Sequence, residues 1–265
     1  MPYPANAQNF KIGKGGLYVA DWTDSATPPD DDDIGLRIGN CENVSIELGD
    51  AQVLEKYSST QNHSPLADQR QLRQVFSVLA ALDEHTYRNL EKFFMGNYTS
   101  AAQPSASSQM KTIESVKQGN TYAIGAFDVS NVSVQADGTI AAVADTDYVL
   151  FPKQGHIYIV PGGAIQDGVD IVVTYNRAAR TVHKVAGGTA LNRFGKVTFA
   201  SDDANTDGTT ANGVLTVWKA RVGPEGAYQL VSAEYSPFSL RLTMLDDSEH
   251  HPTEPLFKIE YPASS

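Results

Sequence analysis

One cysteine, Cys41, in 265 residues leaves no intramolecular disulfide to build on. Nothing around it suggests thiol chemistry, and no Cys/His spacing makes a zinc site. Apolar runs are short, well below the ~20 residues that a membrane-crossing helix needs. The opening Met1-Pro2-Tyr3-Pro4-Ala5-Asn6 has neither the basic nor the apolar segment of a secretory leader. The expectation is a chain made and assembled in a cytoplasm, without membrane insertion. Cations are also scarce, 20 Lys and Arg against 31 Asp and Glu, for a formal charge of −11. Gripping a polyanion takes lysine and arginine against phosphate, so specific nucleic-acid binding is disfavoured. Residues 1–96 and 186–265 together carry −10 of that charge and residues 97–185 are nearly neutral. The two ends therefore read as one unit and the middle as another.

Catalytic chemistry is thin as well. Ser108 and Lys111 match a serine–lysine nucleophile spacing, but they sit in a Ser/Ala-rich stretch with no companion motif. Gly13-Lys14-Gly15-Gly16 lacks the Gly-Lys-Ser/Thr ending of a phosphate loop and reads as a turn. The four consecutive aspartates Asp30 to Asp33 do not alternate as calcium ligands do, so a solvated loop is favoured over a metal site. Asp246, Asp247, Glu249, His250, His251 and Glu254 could ligate a divalent ion, but they crowd one loop beside Pro252, which again favours solvation. His63, His85, His156 and His183 are scattered. Asn43, Asn97 and Asn131 open glycosylation sequons that carry no weight without a secretion signal. The reading is non-enzymatic, with no cofactor and no resident metal.

What the chain does have is alternation. Leu17 to Trp22 reads as a short strand. Val44, Ile46 and Leu48 alternate with Asn43, Ser45 and Glu47, the period of a half-buried strand. Gly49-Asp50 breaks or bulges it, and Val53 to Tyr57 either extends it or begins a second strand. A polar loop runs from Ser58 to Gln69, then Leu72, Phe76, Val78 and Leu82 resume the alternation. A helix follows over about residues 84–95, capped by Asp83 or Thr86, with Tyr87, Leu90 and Phe94 as its packing face, Phe93 widening it, and Gly96 in the left-handed C-cap place. Tyr98 to Gln109 reads as a linker or long loop. Short strands with Gly turns fill Thr121 to Tyr175, the texture of an antiparallel sandwich. A hairpin is expected from Gly213–Val222 and Tyr228–Tyr235 around Gly223-Pro224-Glu225-Gly226. An amphipathic strand, Phe238 to Met244, and a closing strand, Leu256 to Tyr261, end the chain. Phe10 and Ile12 could anchor an N-terminal arm.

This order resembles the major tail proteins that form the tail tube of tailed bacteriophages. The likeness is carried by Gly39-Asn40, the strand Val44 to Leu48, Tyr57-Ser58-Ser59, the run Phe76 to Leu82, Asp83-Glu84-His85-Thr86 and the block Asn89 to Gly96. The middle string from Asp147-Tyr148 through Gly162-Gly163 to Val172–Tyr175 and the C-terminal strand order add to it. The resemblance implies a mainly β fold: an antiparallel β-sandwich or partial barrel with one short helix and an inserted or appended small β module. The tube domain would be discontinuous, residues 1–96 plus 186–265. Residues 97–185 would form the insert, with an outward-facing Ig-like module as one form it could take.

The function implied is a structural virion protein, assembling into stacked hexameric rings that form the conduit for DNA ejection. Its expected partners are further copies of itself, a tape-measure protein, a tail terminator and tail-tip or baseplate proteins. DNA would pass without specific binding. An acidic wall repels phosphate within about 8–10 Å, which makes Glu47, Asp50 and Glu55 candidate lumen-facing acids. Ser58, Asn62, His63, Asp68 and Gln69 are candidates for an inter-ring stacking loop. Two alternatives stay open: another baseplate or injection-tube component, and a carbohydrate-binding or adhesive β module. Against the latter, Trp22 and Trp218 fall inside expected strands rather than on an exposed aromatic face.

Overall fold

The computed structural model describes residues 13–23, 26–57, 59, 66–202 and 212–261. It is mainly β, with one short helix. The chain divides into two compact units: Met1–Tyr98 with Val185–Ser265, and Thr99–Lys184. In chain order the first unit contributes β1 (Gly15–Asp21), β2 (Leu36–Arg37), β3 (Cys41–Leu48), β4 (Gln52–Tyr57), β5 (Leu66–Arg73), β6 (Phe76–Leu82) and α1 (Tyr87–Phe93). Then β7 (Asn97–Gln103) leads out of it. The second unit holds β8 (Ala106–Ile113), β9 (Thr121–Ala123), β10 (Val129–Ala136), β11 (Ile140–Ala142), β12 (Tyr148–Phe151), β13 (His156–Ile159) and β14 (Ile171–Arg177). The strand β15 (Arg180–Ala186) returns, paired with β7, to β16 (Arg193–Ser201), β17 (Val214–Glu225), β18 (Phe238–Met244) and β19 (Phe257–Glu260).

The first unit is organised by an eight-stranded antiparallel sheet in the order β2-β1-β16-β17-β18-β6-β3, with β19 added against β17. Among the described residues it does not close into a barrel, and β2, β3 and β19 stand at its edges. The sequence pattern explains the centre directly. Phe238, Leu240, Leu242 and Met244 of β18 are buried, while Ser239, Arg241 and Thr243 face the other way. The long β17 serves two neighbours in succession, pairing Val214–Val217 with β19 and Ala220–Glu225 with β18. Pro224 lies past the last β16 pair, Arg193↔Val222, where that edge of β17 is open and a strand tolerates proline. Leu17, Val19, Ile38, Val78, Leu82, Val217 and Val222 complete one core with Phe93 of the helix.

Several expectations need correcting. The helix is shorter than residues 84–95. Thr86 caps it, its Oγ1 accepting from the Asn89 N–H at 3.2 Å. At its far end Gly96 N–H donates to Glu91 O and Met95 N–H to Lys92 O, at 2.9 and 3.3 Å. That pair of bonds is a Schellman motif, and its left-handed residue is Met95 (φ 46), not Gly96. Gly96 is needed for another reason: a Cβ there would run into the carbonyl oxygen of Ala186. The packing face is also rotated. Asn89, Lys92 and Phe93 are buried, whereas Tyr87 and Phe94 are exposed and Leu90 is half-buried. Polar side chains can take the inner face because each finds a partner. Asn89 Nδ2 donates to Ile38 O (2.7 Å) and Glu84 O (2.9 Å), and Lys92 Nζ meets Asp21 at 2.6 Å. Tyr87 stacks on Tyr98 instead.

The expected linker at 98–109 is largely strand, β7 and the start of β8. Small polar residues suffice there because the ladders of β7 to β15 and of β8 to β14 supply the hydrogen bonds. The expected loop Ser58–Gln69 ends early: Asp68 and Gln69 pair within β5 against Lys56 and Glu55. Ser58, Asn62 and His63 lie outside the described residues, as do Phe10 and Ile12. Tyr228–Tyr235 is not a strand. Glycine-proline does not end β17, which runs on to Glu225, and β18 is its returning partner. The strands β15 and β16 lie in a stretch where no strand is expected from the sequence.

In the second unit the sheets β11-β10-β14-β8 and β12-β13-β9 share a core of Val116, Ile124, Val134, Ile157, Ile159, Ile165, Ile171 and Val173. Asp147 pins its loops, accepting from the N–H groups of Ala164 and Val143, both at 2.7 Å. Those two bonds hold its carboxyl below the ordinary value of 3.8. A carboxyl depressed in the folded state stabilises above its unfolded pKa and loses that contribution as pH falls through the folded one. Asp147→Asn should therefore melt below the wild type at pH 6, and the gap in Tm should narrow as pH drops below 3.8. Thermal melts of both proteins across that range check it; a constant gap would rule out the carboxylate as the source.

Candidate assembly surfaces

A two-stranded hairpin with apolar residues on both faces is poorly satisfied by water. That is what β4 and β5 make. Among the described residues they pair only with each other, from Gln52↔Arg73 to Tyr57↔Leu66, with register shifts near both ends. Every residue of β4 is exposed. Val53, Leu54, Tyr57, Leu66 and Leu72 are thus large apolar side chains left in solvent. The polar residues between them are tied locally: Tyr57 Oη donates to Glu55 at 2.6 Å, Gln69 Nε2 to Glu55 at 3.4 Å, and Arg70 meets Asp68 at 3.0 Å. The Glu55 carboxylate accepting that bond raises the Tyr57 pKa.

The second surface is the face of the main sheet turned away from the core. Register places Glu47, Ser77, Thr243 and Arg221 in one row, and Ser45, Leu79 and Arg241 in the next. Arg241 reaches across β6 to β3 on one side and to the adjacent β17 on the other. Its Nη1 donates to Glu47 at 2.7 Å, and its Nε and Nη2 donate to Glu225 at 2.6 and 3.0 Å. The fork-on-carboxylate geometry drives the Arg241 pKa up and the Glu225 pKa down. Glu47 is therefore a paired carboxylate, not a free one. Asp50, in the turn after β3, is exposed, and Glu55 is on the hairpin. The three candidate acids thus lie on one sheet strand, one turn and one hairpin rather than in a single row.

A third surface was not anticipated. Residues 226–237 join β17 to β18. Leu230, Val231 and Tyr235 in it are 87%, 93% and 97% exposed. Its base is fixed. Tyr228 packs on Phe93, Phe94 and Phe238, and His85 meets Tyr228 Oη at 3.0 Å and Ser236 O at 3.1 Å. The sequence signal was the absence of alternation between Gly226 and Ser236. A cleft of about 530 Å³ near β2 and α1 mixes Arg37 and Arg88 with Asp21, Glu84 and Glu91. The Lys92–Asp21 and Arg193–Glu91 pairs at its wall brace the helix.

The loop expected to be solvated, Asp246 to Glu254, is built around a buried carboxylate. Asp247 is 4% exposed. Its two oxygens lie 2.8 Å from His250 Nδ1 and 2.8 Å from His251 Nδ1. His251 stacks on Trp218 at 3.6 Å, His250 meets Trp22 edge-on, and Trp22 Nε1 donates to Trp218 O. The aspartate run is likewise tied down: Lys196 Nζ, on a nearly buried lysine of β16, donates to the carbonyls of Asp30 and Asp31. A lysine inside the apolar run Phe194 to Phe199 was the available clue. Among the described residues no three His, Cys, Asp or Glu side chains are set to hold a metal ion.

A family model described as protein of unknown function UCP028589 matches residues 10–255, and the chain belongs to that family. No curated protein matches it.

Proposed function

We propose that this family member is a tube-forming structural subunit of a phage tail, assembling into hexameric rings that stack into the conduit for DNA. The observation that carries the reading is the hairpin β4–β5, whose apolar residues have no cover among the described residues. An isolated two-stranded hairpin is marginal in water and gains its stability by packing against something else. In the resembling family the loop that joins these two strands is the stacking element between rings.

Two further features support it. Over β3, β6 and β18 the outer face of the main sheet is polar, carrying Glu47, Arg241 and Thr243, as a wall beside a watery bore requires; over β1, β16 and β17 the same face is covered, with Lys196, Thr198 and Thr216 buried. The sheet's edge β3 offers eight residues without an outer neighbour among those described, and a ring contact between identical copies removes such an edge. Arg241 on the polar face is held by two carboxylates, so it presents little free positive charge to a passing phosphate backbone. The second unit would be the appended module, and the protein would act in the virion tail without catalysis.

Negative-stain electron microscopy of the concentrated full chain tests this. Tubes or hexagonal rings are expected. Monodisperse monomers at every concentration and salt would overturn it and favour an adhesive β module.

A further inference from the structure

His251 has both ring nitrogens on carboxylate oxygens. Nδ1 is 2.8 Å from Asp247 Oδ2 and Nε2 is 3.3 Å from Asp31 Oδ1. An ionised carboxylate only accepts, so both nitrogens must carry protons to make both bonds, and only the imidazolium does. The neutral ring keeps the Asp247 bond through Nδ1–H, but it turns a lone pair toward Asp31. The ring lies flat on Trp218, at 3.6 Å and 8°.

We infer that His251 is a proton-operated clasp joining the turn 246–251 to the aspartate loop 30–33. With both nitrogens protonated the clasp is closed; loss of the Nε2 proton opens it at Asp31 and leaves the Asp247 anchor in place. Closure therefore belongs to the lower-pH side and is lost as pH rises. The charged groups around the ring are set on both sides of this balance. Asp31 and Asp247 face it, and His250 shares Asp247. Asp246, Glu249 and Glu254 are on its own loop. Lys196 and Lys258 lie 5.6 and 5.2 Å from the Trp218 ring centre, and Lys219 sits over Trp22 at 4.4 Å. The lysines oppose the imidazolium and the carboxylates favour it. Opening loosens the aspartate loop rather than freeing it, because Lys196 still holds the carbonyls of Asp30 and Asp31.

The full chain labelled with 15N-histidine gives the direct test, with His251 assigned by the signal missing from His251→Gln. Amide exchange of residues 26–35 is followed in parallel across pH 5 to 9, corrected for its intrinsic pH dependence. Both His251 nitrogens should be protonated where the loop is protected. Exchange in the loop should rise about threefold as Nε2 loses its proton, the size expected of one solvent-facing ion pair. Asp31→Asn, at an exposed position that threatens no packing, should flatten that profile while the imidazole still titrates, since an amide can accept from the cation or donate to the neutral ring. A neutral Nδ1–H ring wherever the loop is protected, a flat wild-type profile, or an Asp31→Asn profile equal to the wild type would each overturn the clasp.

Discussion

The double substitution Val53→Asp, Leu54→Asp is expected to leave the subunit folded and to abolish its assembly. Both side chains are exposed and on opposite faces of the hairpin, so neither contributes to the core of the main sheet. Their loss should move Tm by no more than about 2 °C, as for surface changes that touch nothing buried. In a stacked tube the same positions would lie against another copy. An aspartate there must be desolvated without a partner, at a cost of several kcal/mol per site. Each ring would carry that cost once per subunit, on a chain whose formal charge is already −11. Sedimentation and microscopy should show tubes or rings for the wild type and monomers for the variant. Assembly unchanged in the variant would remove the hairpin from the proposed interface. A variant that unfolds would show instead that the hairpin packs on its own subunit.

Legibility in the sequence followed the range of the forces involved. The alternation of Phe238 to Met244 could be read because a half-buried strand repeats every two residues and needs no distant information. The helix was readable as an element but not in register. Its inner face holds Asn89 and Lys92, acceptable only because Ile38 O, Glu84 O and Asp21 wait there, and all three lie outside the helix. Met95 took the left-handed place because Gly96 had to sit against Ala186. Glu47 looked like a free acid since its partner, Arg241, is 194 residues away in the chain. Tyr228–Tyr235 reads as a returning strand because Gly223-Pro224 suggests a turn, whereas β17 runs on to Glu225. The acidic and histidine-rich loop was visible as a cluster; that its centre is buried depends on Trp22 and Trp218 meeting beneath it.

That buried centre sets the other large effect. Asp247→Ala should cost about 3 kcal/mol of unfolding free energy, the lower end of what breaking a buried, hydrogen-bonded charge pair costs. The lower end applies because His250 and His251 retain some access to water once the carboxylate is gone. The loss should be local in origin: Asp247 also closes the turn through its backbone, N–H to Pro255 O at 2.9 Å and carbonyl to the His251 N–H at 2.8 Å, and without its side chain the turn loses its hold on both rings. Asp247→Asn separates charge from shape. The amide keeps the volume and one acceptor, and its NH2 can donate to a neutral imidazole Nδ1, so the cost should fall to about 1 kcal/mol where the imidazoles are neutral. Where they are protonated the same NH2 meets an N–H, and the deficit should grow. Urea unfolding of the three proteins at pH 6 and pH 8.5 measures this. The Asn variant should lie between the wild type and the Ala variant. An Ala variant within about 1 kcal/mol of the wild type at both would mean that the two histidines are held by the tryptophans alone.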